Sequence, residues 1–229
     1  QRLVYNAVNL DYSIDAQEQS SLAVATIDSS GSASYSFYVN GTADWGWTKD
    51  ELPSLDLIQE LGTNAIQFGC LGMAMEPGNK AIEAWLKEIS AQDICTLSHD
   101  LNIRSALGFE REVELKRVLR VNKTSHIIKA SDADLEWLFD LEAGSDIDQI
   151  ALDWSVGGKL VIITRGGDGA SLYRAGSRIA VPAPKINLVD TVGAGDTFMA
   201  NFLGELTALD GLGSDPLARL ERLGDEDLI

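Results

Sequence analysis

From residue 49 onward, short apolar, β-branched runs alternate with helical segments, and this alternation leaves the chain few folds to choose from. Helices are expected over 50–61, 78–90, 110–121, 132–139 and 147–156, and strands over 65–68, 94–98, 126–129 and 160–164. A parallel strand pair needs a long crossover, usually a helix, so the succession implies helices packed on a mostly parallel sheet. The expected fold class is α/β: a doubly wound, mostly parallel sheet flanked by helices. Residues 170–173 and 178–181 read as a hairpin around 174–177, and a further helix starts near Gly193 and runs to about Ala208. Ligands of such folds bind at the carboxyl ends of the strands.

Ahead of this core the pattern differs. Residues 21–27 are apolar and β-rich, 35–39 alternate, and the turn cluster 28–32 lies between them, so a β-hairpin is expected. The loop 40–47 carries two indoles, Trp45 and Trp47, one at least serving as packing. The chain therefore divides into a small β unit with its connector, 1–48, and an α/β core, 49–229.

The 229 residues carry 18 Lys and Arg against 35 Asp and Glu, a net charge of −17. Such a surface disfavours nucleic acid and anionic lipid as partners. An anionic nucleotide would meet the same field, so its site must rest on backbone N–H groups, a few placed cations and a metal. No apolar run is long enough to span a bilayer. Cys70 and Cys95 sit in apolar stretches and read as buried free thiols, which fits a reducing cytoplasm. Two cysteines and two histidines, His99 and His126, lie too far apart for zinc-ligand spacing.

The segment richest in chemistry is Asp190-Thr191-Val192-Gly193-Ala194-Gly195-Asp196-Thr197-Phe198. An extended stretch ends in a glycine-rich turn, and an apolar helix follows at once. Gly193 and Gly195 permit a sharp turn and close approach of a ligand. The N–H groups of Gly193, Ala194, Gly195 and Asp196 would converge at a helix N-terminus as an anion hole for a transferring phosphoryl group. Asp196 falls in the first turn, at the positive end of the helix dipole, where a carboxylate can take the proton of an attacking hydroxyl.

This run resembles the C-terminal signature of the ribokinase-like (PfkB-type) carbohydrate kinases, in feel the fructokinase and 2-keto-3-deoxygluconate kinase members. The resemblance implies that Asp196 is the catalytic base, that Gly193, Ala194 and Gly195 form the anion hole, and that Asp190 begins a loop holding a monovalent cation such as K+. Further matches follow the family's order. Thr164-Arg165-Gly166-Gly167-Asp168-Gly169 resembles its nucleotide-binding Thr-x-Gly-x-x-Gly, which assigns Thr164, Gly166 and Gly169 to ATP. Asp100-Leu101-Asn102-Ile103-Arg104 resembles its Asp-x-Asn-x-Arg, placing Asn102 and Arg104 at the substrate. Arg104 would bring cationic charge to the γ-phosphate or the acceptor, its alternative being a surface salt bridge. Ser131 and Asp134 stand where the family has Asn-x-x-Glu, implying that Ser131 serves nucleotide placement and Asp134 reaches Mg²⁺ indirectly; the same pair would serve as a helix N-cap. The N-terminal hairpin resembles the family's lid, with Tyr38 or Phe37 stacking on the sugar, since alternation lets one of these neighbours face it.

The resemblance implies ATP-dependent phosphorylation of a small sugar, fructose or a related ketose or sugar acid, in the cytoplasm, with Mg²⁺ and a possible homodimer through the lid. A nucleoside kinase of the same family and a non-catalytic sugar or nucleotide sensor are the alternatives. The family's opening strand and its Gly-Gly-x-x-x-Asn region have no counterpart here, and its C-terminal helices are cut short. The expectation is a chain lacking those segments.

Overall fold

The computed structural model describes residues 2–27, 33–187 and 191–229. A short helix, α1 (Arg2–Tyr5), precedes two antiparallel strands, β1 (Leu22–Ile27) and β2 (Ala33–Tyr38), which pair Ala23 with Phe37 and Leu22 with Tyr38. The core elements follow in the order α2 (Leu55–Glu60), β3 (Ala65–Gly69), α3 (Cys70–Ala74), α4 (Gly78–Ser90), β4 (Thr96–Asp100), α5 (Arg111–Thr124), β5 (Ile127–Ser131), α6 (Asp132–Phe139), α7 (Asp148–Trp154), β6 (Leu160–Thr164), β7 (Ala170–Arg174), β8 (Ser177–Val181), α8 (Ala194–Ala208) and α9 (Pro216–Arg222).

Strands β3 to β8 form one six-stranded sheet in sequential order. The steps from β3 to β6 are parallel, and β7 and β8 are added antiparallel. Each parallel step advances in the same direction, so right-handed crossovers bring α4, α5 and the α6–α7 pair to one face. The packing shows this division residue by residue. Ile128, Ala130, Val161 and Ile163 pack under α5, α6 and α7, while Ile127, Leu160 and Ile162 pack under α8 and α9 with Met199, Leu206 and Leu220. A period of two assigns strand neighbours to opposite faces, and both faces are buried at β6, so that strand is a continuous apolar run.

Several boundaries differ from the expected ones. The single helix over 50–61 is two elements: a 3₁₀ turn at Lys49–Glu51 and then α2. Pro53 disfavours helical backbone at its predecessor, and Ser54 restarts the helix by accepting the Leu57 N–H at 3.2 Å. Strand β4 begins at Thr96 and extends through His99 and Asp100, polar side chains that are buried in spite of their chemistry. Helices α3 and α9 were not expected; α9 is opened by Pro216, whose fixed φ suits a first helical position. The hairpin over β7 and β8 falls where it was expected, turning through Ala175 and Gly176, both at positive φ.

Candidate active site

The glycine turn stands at the carboxyl edge of the sheet. Gly193 caps α8 in the left-handed region, at φ 76°, and a β-carbon there would touch nothing. Glycine is thus required by backbone conformation and not by crowding. Of the N–H groups expected to converge, that of Ala194 is already occupied, donating to the Thr191 carbonyl at 3.1 Å. Ala194 therefore offers no donor to a ligand. Gly195 and Asp196 lie in the first turn, where no intrahelical acceptor exists. The Asp196 side chain is exposed.

Two clefts meet at this turn. The first, about 670 Å³, is lined by Gly193, Gly195 and Asp196, by Asn102 and Arg104 from the segment after β4, by Lys129, and by Ala23 and Phe37 from the hairpin. The second, about 390 Å³, is lined by Thr164, Gly166 and Gly169 and, from α8, by Ala194, Gly195 and Phe198. Gly195 borders both. The expected substrate residues and the expected nucleotide residues are thus gathered on opposite sides of one backbone turn. On the nucleotide side Ser131 stands apart, and on the substrate side Tyr38 is the exception. It lies on the face of β2 away from the first cleft, with Leu22 and Val24, and Phe37 is the ring that faces the cleft.

Beneath the turn lies a buried ion pair missing from the sequence-level site. Lys129 Nζ donates to both Asp100 carboxylate oxygens, at 3.0 and 2.9 Å. A β-carbon on Gly195 would stand 3.0 Å from that ammonium, so the absent side chain lets the cation lie directly under the anion turn. Burial pushes the Asp100 carboxyl up; Lys129 opposes this, while Asp134 and Asp196 add to it. The sequence held a signal for Lys129: a charged residue inside the apolar strand Ile127-Ile128-Lys129-Ala130 must find a counter-charge when buried.

Asp134 takes the helix-cap role open to it. One oxygen accepts the Ser131 N–H at 2.8 Å, and the other accepts the Ile103 N–H at 2.8 Å. The Ser131 hydroxyl in return accepts the Asp134 N–H at 3.1 Å, completing a capping box at the start of α6. Ser131 and Asp134 line neither cleft. They brace the turn that carries Asn102, at φ 40°, and Arg104. Arg104 has no ion-pair partner among the described residues, which sets aside the surface salt bridge. The Cys70 thiol is pushed up by burial, with Arg104 pulling the other way. Cys70 is half-buried, not fully buried as expected, whereas Cys95 is. Asp190 lies outside the described residues, and Thr191 borders the first cleft.

On the nucleotide side, Gly166 and Gly169 both adopt positive φ, 49° and 96°. They differ in surroundings. A β-carbon at Gly169 would lie 2.1 Å from the Val181 carbonyl oxygen, whereas one at Gly166 would meet nothing. Gly169 is needed for the close approach of β7 to the end of β8, and Gly166 for the turn alone.

A six-stranded, mostly parallel sheet with a two-stranded appendage and a glycine-rich helix start at its carboxyl edge defines a ribokinase-like α/β protein. The model of the pfkB family carbohydrate kinases matches residues 1–224, and the chain belongs to that family. It is 37% identical over 202 residues to a fructokinase of Rhizobium leguminosarum bv. trifolii, covering 87% of this chain and 59% of the relative. The chain thus spans somewhat over half the length of that relative. Among solved structures, an uncharacterized sugar kinase from Pyrococcus horikoshii superposes with a TM-score of 0.73 at 24% identity, covering 95% of this chain and 66% of that one. A fructokinase double mutant from Vibrio cholerae O395, in its fructose, ADP and potassium ion bound form, gives 0.73 at 20% identity, covering 96% and 70%. At these identities the structural likeness concerns the fold.

Proposed function

We propose that the protein containing this chain is an ATP-dependent sugar kinase that transfers the γ-phosphate to a hydroxyl of a small sugar, a ketohexose such as fructose or a related sugar acid. The observation that carries the proposal is the position of the Gly193–Asp196 turn between two clefts, with a carboxylate on one side and a glycine-bordered pocket on the other. The sugar occupies the cleft under Phe37, and ATP the cleft bordered by Thr164, Gly166 and Gly169. Asp196 accepts the proton of the sugar hydroxyl as its oxygen attacks the γ-phosphorus, and the bond from that phosphorus to the β–γ bridging oxygen breaks to release ADP. The Gly195 and Asp196 N–H groups, with Lys129 beneath and Arg104 opposite, hold the charge on the transferring group. The fructokinase named among the relatives and the fructose and ADP bound to the Vibrio cholerae structure support this substrate pair.

Mg²⁺ is proposed as the partner of ATP, and the donor set bears on where it would sit. Among the described residues no three His, Cys, Asp or Glu side chains converge, and both Asp134 oxygens are engaged by the backbone. Mg²⁺ would be held mainly by the ATP phosphates and water, as is usual for this ion, where it would neutralise phosphate charge. Potassium is proposed for the loop from Asp190 on the family resemblance, with the ion bound to the Vibrio cholerae structure in support. Residues Leu22, Val24 and Tyr38, exposed on the outer face of the hairpin, are the proposed contact with a second copy; light scattering of wild type against Val24→Lys separates dimer from monomer.

The test is ADP release with ATP and Mg²⁺ against a panel of ketohexoses, sugar acids and ribonucleosides, using the whole protein. The proposal expects a ketohexose or sugar acid to give the highest kcat/KM. A ribonucleoside at the top of the panel contradicts it, as does binding of ATP and sugar without turnover.

A further inference from the structure

The residue between Thr164 and Gly166 points away from the nucleotide cleft. Arg165 reaches to the other face of the sheet, where β7 presents Ser171 and Tyr173 while its alternate residues Ala170 and Leu172 line the cleft. There one guanidinium makes three contacts: Nη1 to Ser171 Oγ at 2.8 Å, and Nη2 to Tyr173 Oη at 2.9 Å and Asp148 Oδ1 at 3.1 Å. The Asp148 carboxylate, at the first position of α7, also accepts the Tyr173 hydroxyl at 2.5 Å and pairs with Arg178 Nη1 at 2.8 Å. Arg178 closes the cluster by donating from Nε to Ser171 Oγ at 3.2 Å. The cluster therefore ties α7, β7, β8 and the loop after β6 through one carboxylate and two guanidinium groups.

The loop itself is weakly held. Three backbone bonds close it: Arg165 N–H to the Gly169 carbonyl, Asp168 N–H to Arg165, and Gly169 N–H to Gly166. Two of its residues are glycines at positive φ, which permit the turn and equally permit others. A planar guanidinium held by partners from two further elements removes that freedom at little entropic loss per bond. We infer that Arg165, anchored by Asp148, is a positioning residue that fixes the nucleotide-side loop Gly166–Gly169 from behind the sheet. On this inference, which rests on the assignment of that cleft to ATP, the brace acts on nucleotide affinity and leaves the sugar side alone.

The test uses Arg165→Met and Asp148→Asn in the whole protein, with Arg165→Lys as the variant that keeps charge and loses the fork. Arg165→Met is expected to raise the KM for ATP roughly tenfold, the size of one lost charge-assisted hydrogen bond network contact, with the sugar KM within about twofold of wild type. Arg165→Lys is expected to recover part of the loss. Hydrogen exchange gives a readout independent of turnover: the amides of Arg165, Asp168 and Gly169 should exchange faster in Arg165→Met while those of α8 keep their protection. Unchanged exchange in this loop overturns the brace whatever the kinetics, and so does an equal rise in both KM values. Wild-type protein that phosphorylates no substrate overturns the kinase assignment instead, with the exchange result still deciding the brace.

Discussion

Replacing Lys129 with methionine isolates the energetics of the ion pair under the glycine turn. The Asp100 and Lys129 side chains are 9% and 6% exposed, so removal of the ammonium leaves a carboxylate with little water and no counter-charge. Breaking a buried pair from one side destabilises by about 3–5 kcal/mol. The loss has a pH signature. Burial already pushes the Asp100 carboxyl up against the pull of Lys129, and without Lys129 that push is unopposed. A folded-state pKa above the unfolded value means the folded state holds the proton more tightly. Stability then falls as pH rises from the unfolded value, about 3.9, to the folded one, by about 1.4 kcal/mol per pH unit. Urea unfolding of wild type and Lys129→Met from pH 4 upward should show a gap that widens with pH until the variant's Asp100 carboxyl ionises in the folded state. The double variant Asp100→Asn, Lys129→Met removes the charge and should regain most of the loss. A gap that is constant with pH, or a double variant no better than the single one, refutes the assignment of the pair as buried and mutually compensating.

Other outcomes follow from the same structure. His99 and His126 are held neutral, burial lowering them to about 3 and about 4; the unfolded chain takes up protons below about 6.5, so stability should fall with pH between 6.5 and 4 by up to about 1.4 kcal/mol per pH unit for each. Replacing His126 with Asn, which retains an acceptor for the Leu97 N–H, should reduce that slope in urea titrations; an unchanged slope contradicts the origin. Gly169→Ala should lower the melting temperature far more than Gly166→Ala, since the first meets the Val181 carbonyl and the second meets only the left-handed backbone penalty of about 1–2 kcal/mol; equal shifts contradict the difference. Phe37→Ala should raise the sugar KM while Tyr38→Ala leaves it near wild type, because Phe37 alone of the two faces the cleft; the reverse order restores Tyr38 as the contact.

The centre of the sheet was legible because both of its faces are buried there, which leaves uninterrupted apolar runs such as Leu160-Val161-Ile162-Ile163. The glycine turn was legible because its backbone demands are met by residue types with few other uses. What escaped was the partnering of polar groups. Asp134 was legible as the partner of Ser131 in a helix cap, and only the fold reveals that its other oxygen takes the Ile103 N–H. Lys129 and Asp100 lie 29 positions apart and become a unit when β4 and β5 pair in register, Asp100 beside Lys129. Strand β4 was placed too early for the same reason: hydropathy stops at Leu97, while the strand continues through buried polar residues. Phe37 and Tyr38 carry equal apolar weight, and the pairing of Ala23 with Phe37 decides which ring faces the cleft.

Asp196 is exposed in the first turn of α8, where the two clefts meet. The most direct measurement is ATP-dependent sugar phosphorylation by Asp196→Asn in the whole protein, with ADP binding measured alongside. Loss of a positioned base should lower kcat by roughly 10²–10⁴-fold, with ADP affinity close to wild type. Turnover within a few-fold of wild type would contradict the assignment of Asp196 as the base and, with it, the account of the turn as the point of phosphoryl transfer.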